Sequence, residues 1–214
     1  MDSKVRQWTE QRQQELKSSN TLNHEGLFAV MMYALANFGK PITDENLAKR
    51  LEQFEPNIGL DISKHYGSDA SLFELGCYLH VCIDLWLFSH KPHLRNEISS
   101  TYIKEFIRLF SMVFEADVYD LFYQRVGKYG ELVRNGEFAP KKGEMYNFLS
   151  DLTELILRSR DNTTPISYIF GHESPTLSFE AIGVKMRLML WMENTLPAIL
   201  ASLEKYCDMI GQQS

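Results

Sequence analysis

The chain has 214 residues, of which 44% are hydrophobic and 12% aromatic, and its formal net charge is −6. A chain of this size and composition can bury a substantial core, which excludes disorder as its general state. The negative charge provides no long-range attraction to phosphate, so nucleic acid is not an expected partner.

The N-terminal residues are charged and glutamine-rich and contain no apolar run. The sequence therefore predicts neither a secretory signal nor a membrane anchor, and no association with a membrane is expected. The three cysteines, Cys77, Cys82 and Cys207, do not have the spacing of a zinc site. Two of them lie in apolar helical patterns, where a thiol acts as a small hydrophobe. We therefore expect a cytoplasmic protein in a reducing environment.

Apolar residues recur at helical spacing along most of the chain and predict an all-α fold. In chain order, the pattern predicts helices at residues 22–38, 43–54, 70–88, 98–115, 118–133, 142–160 and 176–209, with Pro197 kinking or splitting the last. Loops are predicted at residues 57–69 and 161–175. We expect a single-domain bundle of about seven or eight helices over residues 21–211, preceded by a polar helical arm at residues 1–20.

Residues 70–88 are apolar nearly all round, which predicts a central helix surrounded by the others. Glu74, His80 and Asp84 are its polar exceptions. The spacing of four residues places His80 and Asp84 on one face of the helix, one turn apart. They are predicted to form a polar pair inside the bundle; the alternative is a site for a small molecule or a metal ion.

A metal site would require further ligands, and the sequence contains neither Glu-x-x-His nor His-x-x-x-His. The residues that could complete such a site are His24, Glu25, His172 and Glu173. His90 and His93 are predicted to be solvated loop residues beside the end of the central helix, close to Pro92. The metal and any cofactor stay unassigned.

An aromatic and basic cluster lies within the helix predicted at residues 118–133. Aromatic residues and arginine are enriched where proteins bind one another, so this cluster is predicted to face a protein partner. Its members are Tyr119, Phe122, Tyr123, Arg125, Lys128 and Tyr129.

Residues 27–54 are similar to the first two helices of a helix-turn-helix unit. The residues that follow include Pro56 and only Lys64 as a full positive charge, unlike the recognition helix of a DNA-binding protein. The sequence also lacks the common motifs of nucleotide-binding loops, nucleophile elbows and zinc proteases, so it indicates no particular reaction.

Three functions remain as hypotheses. The leading one is a non-enzymatic, cytoplasmic helical protein that binds another protein, as an adaptor, inhibitor, immunity factor or chaperone-like subunit, with a second copy of the chain among the candidate partners. The first alternative is a small-molecule or metal-dependent enzyme with a site around His80 and Asp84. The second alternative is a DNA-binding regulator.

Overall fold

The structure is a computed structural model that describes residues 3–18, 22–36, 69–132 and 195–211. These residues form helices and no strand, so the fold is all-α, as the sequence predicts. The helices are α1 (Lys4–Ser18), α2 (His24–Ala36), α3 (Asp69–His90), α4 (Pro92–Ser111), α5 (Val118–Leu132) and α6 (Leu196–Gly211). The described residues leave out the helices predicted at 43–54 and 142–160, most of that at 176–209, the loop predicted at 161–175 and all but the last residue of the loop predicted at 57–69. That last residue, Asp69, begins α3 instead. The total of seven or eight helices stays a prediction.

Helix α3 lies at the centre of the described bundle, because it contacts each of the other five helices. Its stretch Leu72–His90 has a mean hydropathy of 1.4 and is 78% buried. Among the described helices it alone is long and apolar enough to cross a membrane, and a buried central helix has the same composition. The burial agrees with the prediction that the helix at residues 70–88 is surrounded by others.

Helices α3 and α4 form a hairpin whose connection is Lys91. Helix α3 extends to His90, and α4 begins at Pro92 rather than at Ile98. Proline suits this first position because its fixed φ matches the helix and the first turn needs no backbone donor. The prediction that His90 and His93 lie in a loop is therefore wrong: His90 ends α3, and His93 lies in the first turn of α4.

Helix α1, predicted as a polar arm, packs against α2 and α3. Val5 is fully buried, and the rings of Trp8 and Phe28 have centroids 6.0 Å apart. The carboxylate of Asp69, in the first turn of α3, accepts hydrogen bonds from Ser3 Oγ at 2.6 Å and from the backbone N–H of Val5 at 3.0 Å. Because the first N–H groups of a helix lack partners within it, Asp69 caps α1 from another helix.

Aromatic rings fill the space where α3, α4 and α5 meet. The ring centroid of Phe106 lies 5.4 Å from that of Phe73 and 5.0 Å from that of Phe122. Gly76 of α3 lies directly against Phe106: a Cβ atom added there would overlap Phe106 Cε2 and lie 3.2 Å from Cζ. The absence of a side chain at Gly76 therefore allows α4 to approach α3 closely.

Helix α6 packs against α2 and α3. Its buried residues, Leu196, Ile199, Leu203, Tyr206 and Cys207, follow a helical stripe. Pro197 is the second residue of the helix, where a missing backbone donor costs little. Of the residues just before α6 the structure describes only Thr195, so the predicted kink at Pro197 stays a prediction.

Candidate functional site

His80 lies in the aromatic core and is 5% exposed. Its ring centroid is 5.2 Å from that of Tyr102 and 5.3 Å from that of Phe122. Within the described part of the chain, its Nδ1 atom has no hydrogen-bond partner. Burial lowers the pKa of His80 to about 4, against the opposing effect of the Asp84 charge. The imidazole is therefore neutral at pH 7 and packs as an aromatic ring.

The carboxylate of Asp84 is engaged by α4. It accepts hydrogen bonds from Arg95 Nε at 2.9 Å, from Arg95 Nη2 at 2.7 Å and from Ser99 Oγ at 2.8 Å. Burial alone would raise the pKa of Asp84, but the hydrogen bonds and the positive charge of Arg95 outweigh it and lower that pKa. His80 and Asp84 are thus on one face of α3, as predicted, while the hydrogen bonds of Asp84 fasten the α3–α4 hairpin.

Of the proposed additional metal ligands, the structure describes His24 and Glu25, and neither joins His80. His24 Nδ1 lies 2.6 Å from the hydroxyl oxygen of Tyr206, and its Nε2 lies 2.9 Å from Glu97 Oε1. This arrangement links α2 to α4 and α6. Across the described ranges, no group of three or more His, Cys, Asp or Glu side chains could hold a metal ion. His172 and Glu173 lie outside these ranges.

Glu25 instead lines a surface pocket between α1 and α2. The pocket has a volume of about 240 Å³, and Arg12, Glu15 and Asn23 also line it. Arg12 Nη1 is already paired with Glu15 Oε2 at 2.7 Å. Sites for small-molecule ligands usually enclose about 300–1,000 Å³ and are mainly apolar, so this small polar pocket has little of that character.

Glu74 and Arg125 form a buried ion pair between α3 and α5. Arg125 Nε donates to the two carboxylate oxygens of Glu74 at 3.0 and 2.9 Å, and the Tyr129 hydroxyl donates to Glu74 Oε2 at 2.9 Å. Burial raises the pKa of Glu74, and the charge and hydrogen bonds of Arg125 oppose that rise. These hydrogen bonds join α3 to α5, and all three side chains are at most 2% exposed.

Three of the six residues predicted to face a partner are in the core. Phe122, Arg125 and Tyr129 are each 0% exposed, which corrects their assignment to a partner-facing surface. The spacing of three and four residues, continued back to buried Val118, places them on one helical face. That spacing predicts a buried face, whereas the charge of Arg125 taken by itself predicts exposure. The other three, Tyr119, Tyr123 and Lys128, are exposed.

The exposed side of α5 carries two tyrosines and two glycines. Tyr119 is 55% exposed and Tyr123 is 44% exposed, and their ring centroids are 4.7 Å apart. Gly127 and Gly130 continue the same side, and a Cβ atom added to either would have no neighbour within 4 Å. We call these four residues the α5 face. Each glycine costs the helix roughly 1 kcal/mol relative to alanine, and no packing contact offsets this cost.

The cysteines offer no nucleophile. Burial raises the pKa of Cys82 to about 12 and that of Cys207 to about 11. Since the thiolate is the reactive form, these two side chains are inert at neutral pH. The pKa of Cys77, which is fully buried, is raised as well. All three therefore act as small core residues.

The described residues thus offer an exposed aromatic surface, the α5 face, while the carboxylates of Glu74 and Asp84 are hydrogen-bonded to arginines. No protein-family model matches the chain, and comparison with curated proteins and with solved structures gives no match.

Proposed function

We propose that this protein is not an enzyme and acts by binding another protein through the α5 face. The observation that carries the proposal is the pair formed by Tyr119 and Tyr123, which lie side by side and are about half exposed. Tyrosine provides a large apolar contact area with a polar end and is enriched at protein interfaces. A pair of neighbouring rings provides the kind of compact contact that contributes most to binding.

The attachment of α5 to the bundle supports this proposal. Phe122, Arg125 and Tyr129 hold the opposite side of the helix in the core, with Arg125 and Tyr129 hydrogen-bonded to Glu74. The two exposed tyrosines are therefore displayed on a helix that is already ordered. Such preorganisation reduces the entropy that is lost on binding.

The polar residues of α3 support a non-enzymatic role. Glu74 and Asp84 are hydrogen-bonded to arginines, and His80 is packed between aromatic rings. These contacts hold α3 against α4 and α5 and so stabilise the fold. The proposal places the protein in the cytoplasm, where its cysteines stay reduced.

The proposal is tested by isolating the tagged chain from its own source and measuring the mass of the native assembly. Three forms are compared: the wild type, the double variant Tyr119→Ala/Tyr123→Ala, and Phe88→Ala. Phe88 is a matched control because it is another exposed aromatic residue, at 60%, on α3. Circular dichroism melting confirms that each form is folded.

We expect a stoichiometric protein partner with the wild type and with Phe88→Ala, and its loss from the double variant. The partner is either a second copy or a different chain. An assembly that survives in the double variant, or a wild-type chain that carries no protein partner, would overturn the proposal.

A further inference from the structure

We draw no further inference here: the strongest candidate, the exposed side of α5 with Tyr119 and Tyr123, carries nothing beyond the proposed function, because nothing among the described residues shows what covers it.

Discussion

Arg125 Nε lies 3.0 and 2.9 Å from the two carboxylate oxygens of Glu74, and both side chains are at most 2% exposed. This pair joins α3 to α5 inside the bundle. Removing a charge from water costs free energy, and the cost is larger for a buried charge that has no partner of opposite sign. Loss of either member of the pair would therefore destabilise the fold. The pair thereby fixes which side of α5 faces the core and which side carries Tyr119 and Tyr123.

The variant Arg125→Met should reduce the free energy of unfolding by about 3–5 kcal/mol, because it leaves Glu74 buried without its cation. Urea unfolding followed by circular dichroism measures this change. The double variant Glu74→Gln/Arg125→Met should be more stable than Arg125→Met, since it removes the stranded charge and keeps an acceptor for the Tyr129 hydroxyl.

The control for this prediction is Lys128→Met on the exposed side of the same helix, which should change stability by no more than about 0.5 kcal/mol. If Arg125→Met costs no more than Lys128→Met, the pair does not contribute to the packing of α5.

His80 should make the stability depend on pH. Its pKa in the folded protein is about 4, below the value of 6.5 for an unperturbed histidine. Between these two pH values the unfolded chain binds more protons than the folded protein. The contribution of neutral His80 to the free energy of unfolding is therefore present in full above pH 6.5 and is lost as the pH falls towards 4. The loss at pH 4 is roughly 3 kcal/mol relative to pH 7.

The measurement is the free energy of unfolding from pH 7 to pH 4 for the wild type, His80→Phe and His93→Gln. His80→Phe keeps a ring in the aromatic core and should lose this part of the pH dependence, whereas the exposed His93→Gln should keep it. Equal pH dependence in all three proteins would contradict the assignment to His80.

Two glycines should respond in opposite directions to the same substitution. Gly76→Ala places a Cβ against Phe106, within the tightly packed contact between α3 and α4, and should destabilise the protein by about 1–3 kcal/mol. Gly127→Ala fills open space on a helix and should stabilise the monomer by up to about 1 kcal/mol. Urea unfolding at low protein concentration measures both, and a stable Gly76→Ala would show that α4 can move away at little cost.

His24 should hold α6 against the rest of the bundle through its contacts with Tyr206 and Glu97. His24→Phe keeps a ring beside Tyr206 but removes both polar contacts. We expect the free energy of unfolding to fall by about 1–2 kcal/mol, mostly from the lost hydrogen bond to Tyr206, because a contact with the largely exposed Glu97 contributes little. Hydrogen exchange should increase in α6 and stay unchanged in α1. Tyr206→Phe should reproduce part of the increase, and the two effects should not add because both substitutions remove the same hydrogen bond. Unchanged exchange in α6 would show that its apolar stripe alone holds it.

Several features were determined by the sequence itself, because they depend on neighbours along the chain. The all-α class and the helices at 70–88 and 118–133 follow from the local recurrence of apolar residues, and the structure places them at Asp69–His90 and Val118–Leu132. The start of α4 was also encoded locally: Pro92 is typical of a first helical position, and the apolar stripe beginning at Ile98 drew the boundary too late.

The partners of the polar residues were decided only by the tertiary structure. His80 and Asp84 share a helical face, which local geometry predicts, but Asp84 binds Arg95 across the hairpin and His80 is enclosed by rings from α4 and α5. The charge of Arg125 predicts a position at the surface, yet the residue lies in the core because Glu74 on another helix accepts its hydrogen bonds. Periodicity determines which side of a helix a residue occupies, whereas the energy of a buried charge depends on the residue that packing places opposite it.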